Sequence, residues 1–128
     1  MEWIEVAAGV VRDDQDRFLL CQRKGELAGQ WEFPGGKREA GETFADCLRR
    51  ELMEELCLPV VVEREIGLME HESEGKRIRF CFLLARTETD RVTLLIHQDA
   101  RWVSREELSG YPLCSGDAAF VAAFPNSW

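Results

Sequence analysis

Two β-rich runs open the chain, Ile4 to Val11 and Arg17 to Gln22, and the polar stretch Asp13-Asp14-Gln15-Asp16 between them predicts a β-hairpin. The period then changes. Ala45, Leu48, Leu52 and Leu56 recur at helical spacing, and at about 100° per residue they gather on one stripe that must face a core. Thr43, with Asp46 three positions on, marks the helix start as an N-cap with an approximate capping box, and Pro59 marks its end. A new β region begins at Val60 to Gly67. Leu68 to Glu72 and Arg77 to Leu84 are then expected as antiparallel neighbours joined through the turn Ser73-Glu74-Gly75-Lys76. Val92 to Ile96 is predicted as another strand and Trp102-Val103 as a short one. Ser104 to Leu108 is expected as a capped helical turn, and Ala118 to Phe124 as a final short helix. Mixed strands around one amphipathic helix point to an α/β sandwich.

Composition narrows what such a sandwich can do. With 128 residues, 45% of them hydrophobic, the chain is expected to form one domain over 1–128. A formal charge of -8 argues against a nucleic acid polymer as partner, whereas a small anionic ligand is compatible if metal ions and a few Arg or Lys side chains screen it. No apolar run is long enough to span a membrane, and Met1-Glu2-Trp3 leads straight into a strand without a signal-peptide pattern, so a cytoplasmic location is expected, as monomer or homodimer. Cys21, Cys47, Cys57, Cys81 and Cys114 are odd in number and include no Cys-x-x-Cys pair. They are expected to serve as small buried hydrophobes in a reducing compartment, neither as zinc ligands nor as nucleophiles.

The chemistry concentrates between Gly35 and Leu58. Gly35-Gly36 after Pro34 marks a tight turn, and Gly41 a second bend. Beside the helix's apolar stripe, Glu51, Glu54 and Glu55 fall within an arc of roughly 100°. Three carboxylates packed this way repel one another. A hard divalent cation would relieve the repulsion, and Mg²⁺, with Mn²⁺ as a substitute, suits a few carboxylates plus substrate phosphate oxygens. A bare Glu-x-x-Glu-Glu is more often a solvated acidic helix face. Its surroundings change that balance.

The run Gly36, five residues, Glu42, seven residues, Arg50-Glu51-Leu52, one residue, Glu54-Glu55, one residue, Cys57-Leu58 resembles the Nudix box at every fixed position except the last glycine, here Cys57. The segment Trp31-Glu32-Phe33-Pro34-Gly35-Gly36-Lys37 narrows the resemblance to the MutT-like nucleoside triphosphate pyrophosphohydrolases. The resemblance implies the Nudix fold, an α/β/α sandwich with a mixed sheet and a catalytic loop-helix. It implies that Glu51, Glu54, Glu55 and the Gly35 carbonyl hold the metal; Arg50 reads as a structural partner that orients Glu42 or a neighbouring carboxylate, and Glu51 or Glu54 is the candidate catalytic base if no acid outside the helix supplies it. Arg23 is placed at the triphosphate. Glu32, Phe33, Pro34 and Gly35 are placed along the nucleotide pocket, although Trp31 and Phe33 also suit ordinary core packing. Alternation puts Glu32 on the face opposite the two rings. Asp117 matches a segment in which relatives set an Asn or Asp against the base, and it also suits an N-cap for a helix from Ala118. Arg77 is expected to border the base or phosphate.

Two departures qualify the likeness. Cys57 replaces a glycine that would end the helix in a left-handed turn, at a cost of about 1 kcal/mol if that geometry is kept. Ile96 stands before His97 where relatives often carry a Glu that binds metal or acts as base; Asp99 is the nearest substitute. The implied activity is a Mg²⁺-dependent conversion of a nucleoside triphosphate to monophosphate and pyrophosphate. The expected bases are oxidised purine (8-oxo-dGTP) or cytosine (CTP, 5-methyl-dCTP), and cleaning of the nucleotide pool is one use for such an activity. Ile96 keeps open a different class, a Nudix domain that binds nucleotide without turnover.

Overall fold

The computed structural model describes residues 2–25, 29–73 and 75–128. Its hub is β1 (Ile4–Arg12), whose alternation serves two cores at once. Ala7 and Val11 face one side and Ala8 and Val10 the other, all essentially inaccessible. Along one edge β1 runs parallel to β6 (Lys76–Arg86) in register from Ile4 with Ile78 to Arg12 with Arg86. Its other edge is shared. β4 (Gly35–Lys37) pairs antiparallel with Val6 to Ala8, and β2 (Phe18–Gln22) joins at Arg12, completing the expected hairpin. β3 (Trp31–Glu32) and β7 (Asp99–Val103) flank β2, and β5 (Val61–Ser73) pairs antiparallel with β6 through two register shifts. The result is a mixed seven-stranded sheet.

Helix α1 (Phe44–Leu56) covers one face and α2 (Ser115–Ala123) the other. The α1 side is aliphatic, with Leu48, Leu52 and Leu56 packed on Val11, Leu19 and Leu83. The α2 side is aromatic: Phe82 stacks on Phe120 with centroids 3.9 Å apart, and Phe33 meets both rings edge-on. Thr43 caps α1 as predicted, accepting from Asp46 N at 3.0 Å. Cys57 ends it in the left-handed region at φ 51°, donating to the carbonyls of Leu52 and Met53. That geometry turns Cys57 outward, so it is exposed while the other four cysteines are buried, against the expectation for all five. Ser104 and Glu107 cap each other reciprocally at the turn leading to the 3₁₀ segment Glu107–Gly110.

Gly35-Gly36, expected as a tight turn, is extended in β4, because β1 offers it a pairing edge at Ala7 and Ala8. Three further sequence-based assignments change. Val92 to Ile96 forms no strand, because its amides are drawn to the end of α1: Thr93 N bonds Leu56 O at 2.9 Å and Leu95 N reaches Glu55 O at 3.4 Å. The strand before Trp102 begins earlier, at Asp99. α2 begins at Ser115, three residues before the predicted start, with Cys114 as its N-cap residue. The β5–β6 turn falls where expected, although its Glu74 lies outside the described residues, as do residues 26–28 of the loop after Arg23. Among the described residues no helix is long and apolar enough to cross a membrane.

Candidate active site

A cleft of about 430 Å³ runs from the carboxyl end of α1 to the amino end of α2, where β4 and β2 part along the edge of β1. Two close approaches shape its acidic end. A Cβ on Gly35 would fall 1.8 Å from the Ala7 carbonyl oxygen, and one on Gly36 would fall 2.3 Å from the Glu51 carboxyl carbon. Glycine at both positions is what lets β4 lie between β1 and the acids of α1.

Arg50 organises those acids. Its Nε and Nη2 clasp Glu42 in a bidentate pair at 2.7 and 2.9 Å; Nη1 reaches Glu51 at 2.9 Å and Glu54 at 3.2 Å; Nη2 also donates to the Lys37 carbonyl at 3.0 Å. One guanidinium thus ties the loop, β4 and the helix together. Arg50 first, then the Glu39 backbone, holds the Glu42 carboxyl down to about 2.

Glu55 is placed differently from its two neighbours. By helical geometry it falls within about 20° of Leu48, at the border of the apolar stripe. It is buried, lines the cleft, and leaves Oε2 without a hydrogen-bond partner among the described residues. Burial, followed by the charges of Glu51, Glu32 and Glu54, pushes its carboxyl up to about 8. Glu54 is exposed and turned to Arg50. Among the described residues no three His, Cys, Asp or Glu side chains converge as a preformed cage. An oxygen-lined cluster with a buried, unpaired carboxylate oxygen nevertheless fits a hard divalent cation that completes its shell with substrate oxygens.

At the opposite end the parts come from distant segments. Trp31 and Phe33 are buried in the aromatic core, so Glu32 points away from them, as alternation predicts. Its Oε1 accepts from Arg23 Nη1 at 3.3 Å, and its Oε2 lies 2.9 Å from His97 Nε2. The backbone around Trp31 bonds Pro112 and Cys114, which brings the last helix against β3. Asp117 is therefore not the N-cap. It sits inside the first turn of α2 and accepts from Phe33 N at 3.0 Å. Burial first, then the Glu32 charge, pushes its carboxyl up to about 8.

Arg23, Glu32, Phe33, Gly35, Glu55 and Asp117 are all brought to the cleft. Glu51 stands behind Gly36 and Glu54 faces Arg50, both beside the lining rather than in it, and Pro34 does not line the cleft but gives its carbonyl to Gly9 N at 2.7 Å. Arg77 is not brought to the cleft. Lys76, Ile78 and Phe80 line the cleft or border it on one face of β6, and strand parity sends Arg77 to the other, where it lies over the Trp3 ring at 4.2 Å. Asp99 is also elsewhere: Ala100 and Trp102 pack on the α1-side core, so Asp99 shares the opposite face with Arg101, its partner at 3.2 Å. Sequence reasoning assigned no role to Lys24, Lys37, His71, Phe80 or His97, which line the cleft too. Parity along β6 was the available signal for Phe80; His97 stood beside the departure at Ile96, and nothing local marked His71.

A family model described as the NUDIX domain matches residues 3–124. Escherichia coli CTP pyrophosphohydrolase is 34% identical over 126 residues, covering 97% of this chain and 93% of the relative. An 8-oxo-dGTP diphosphatase of Haemophilus influenzae is 35% identical over 125 residues, covering 96% and 92%. The solution structure of the E. coli ORF135 protein superposes with a TM-score of 0.84 at 34% identity, covering 98% of this chain and 90% of that one.

Proposed function

This chain belongs to the Nudix family as a MutT-like hydrolase, and from that premise we propose that it is a Mg²⁺-dependent nucleoside triphosphate pyrophosphohydrolase, with Mn²⁺ as a substitute. The observation that carries this reading is the cleft that runs from Glu55, the buried member of the α1 carboxylates, to a second pair of acids, Glu32 and Asp117, with Arg23, Lys24 and Lys37 also lining it. Glu51, Glu54, Glu55 and the Gly35 carbonyl would hold the cation, which supplies charge neutralisation for the phosphate chain when bound. Arg50 keeps Glu51 and Glu54 oriented, and one of them takes a proton from water. The water oxygen bonds to the β-phosphorus, the bond from that phosphorus to the bridging α-oxygen breaks, and the nucleoside monophosphate leaves pyrophosphate behind. Arg23 binds the phosphates.

For the base, the two acids offer complementary functions. Asp117, whose carboxyl burial pushes up to about 8, donates a hydrogen in its protonated form while its other oxygen accepts from Phe33 N; Glu32, paired with Arg23, accepts. A base edge carrying an acceptor beside an amino or ring N–H fits that pair. Both 8-oxo-dGTP and the cytosine nucleotides CTP and 5-methyl-dCTP have such an edge, and the two full-length relatives described above divide between those classes. The binding-only reading rests on Ile96 alone, and the relatives named as hydrolases weigh against it.

The test is a kinetic screen of about a dozen nucleoside triphosphates and diphosphate conjugates with Mg²⁺, comparing kcat/KM and products. Monophosphate with pyrophosphate is expected. Orthophosphate alone from every triphosphate would overturn the reaction class.

A further inference from the structure

His97 is held from both sides along the backbone. The preceding loop is tied to the last carbonyls of α1 through Thr93 and Leu95, and Gln98 N bonds Gln22 O on β2 at 2.9 Å. Between those ties the imidazole is 4% exposed. Its Nε2 lies 2.9 Å from Glu32 Oε2, and its Nδ1 is buried with no partner among the described residues. A carboxylate only accepts, so Nε2 carries the hydrogen. An apolar side chain would fill this interior space without leaving a polar atom unpaired, and the histidine is costly there unless Glu32 has to be aimed.

Glu32's other partner is poorly suited to aiming it. Arg23 reaches Oε1 at 3.3 Å from a side chain 44% exposed to solvent, in the regime where ion pairs contribute little. The rigid contact is the buried one. We propose that His97 is a positioning residue for the nucleobase: it fixes the plane of the Glu32 carboxylate, so that the lone pairs left over face the cleft beside Asp117. The proposal rests on the reading that Glu32 meets the base.

The experiment is a double-mutant cycle of H97F and E32Q, with H97Q as the donor-retaining variant, measured with Mg²⁺ on CTP, 5-methyl-dCTP, 8-oxo-dGTP and dGTP. Losing a buried hydrogen bond to a charged group predicts that H97F raises KM for the preferred triphosphate about tenfold while kcat changes far less, and that it narrows the gap between preferred and disfavoured bases. H97Q, whose amide still donates, should stay within about threefold of the parent, and H97F should add less than about twofold in the E32Q background. Additive effects of H97F and E32Q would overturn the proposal, as would a loss confined to kcat with a parallel fall in Tm. If E32Q alters base preference and H97F does not, the proposal fails while the Glu32 reading stands. If E32Q leaves the ranking unchanged, the Glu32 reading itself fails. Should H97F not fold, H97Q carries the same cycle: with its partial loss absent in the E32Q background the proposal holds, and with a loss undiminished there it falls.

Discussion

At the acidic end of the cleft, Glu51, Glu54 and Glu55 come from little more than one turn of α1, and a single guanidinium braces two of them together with Glu42. At the other end, Glu32, His97 and Asp117 come from a two-residue strand, a loop and a second helix; β3 is bonded to the segment before α2, which brings in Asp117, and the loop's ties to α1 and β2 bring in His97. The first arrangement is stiff by backbone periodicity and is tuned by local charge. The second is assembled by packing, and each of its acids depends on a partner distant in sequence. Damage at the first should therefore fall on turnover, and damage at the second on recognition.

The largest effects test that division directly. Glu51→Gln and Glu55→Gln should each lower kcat at least about 10²-fold, the scale for losing acid–base or charge stabilisation. Comparable losses of kcat from the base end would erase the distinction. Next comes Asp117→Ala, expected to cost about tenfold or more in kcat/KM for the preferred triphosphate, as for a lost hydrogen bond in a buried site. Asp117→Asn should be much milder. Its amide oxygen can still accept from Phe33 N and its NH₂ donates as the protonated acid does. Equal losses in the two variants would show that Asp117 acts as an anion.

Stability against pH distinguishes the ends more gently. Glu55 is raised from 4.5, and Asp117 from 3.8, to about 8. The folded state therefore binds protons that the unfolded state has released, and stability falls as pH rises from about 4 to about 8. Glu42 has the opposite sign, but its contribution is lost only as pH drops below its unfolded value toward about 2, outside that window. Tm measured from pH 5 to 8 without divalent ions should decline. Asp117→Asn should flatten the decline, and Mg²⁺ should flatten the part due to Glu55. A Tm that rises across the window would refute the assignment.

Smaller effects lie at the margins. Asp99→Asn should change kcat less than about twofold, because its carboxylate is spent on Arg101 and its own strand. Ile96→Glu would add a carboxylate at the cleft and should raise metal affinity or shift the pH optimum. Loss of turnover in Asp99→Asn, with Ile96→Glu silent, would move the catalytic base off the helix. Smallest of all, Cys57→Gly relieves a left-handed residue and should stabilise by up to about 1 kcal/mol in denaturant melts, less what glycine adds to the unfolded chain's entropy.

What the sequence determined by itself was whatever depends on repeat and spacing. The helix, its Thr43 cap, its apolar stripe, the three acids on one arc and the first hairpin all follow from dihedral periodicities that each residue samples locally. Glu55's place beside Leu48 was there to be read in the same helical wheel. Tertiary structure decided which partner each group found. Val92 to Ile96 has a strand's composition, yet the open carbonyls at the end of α1 took its amides. Asp117 has a cap's composition, yet Phe33 N claimed its oxygen once α2 began earlier. Arg77 went to the wrong face for the cleft by the parity of a register fixed by β1. His97 acquired meaning only when folding buried it beside a carboxylate 65 positions away. Hydrogen-bond partners and desolvation are properties of what packs around a residue, and a linear pattern carries them only when the partner is a near neighbour in the chain.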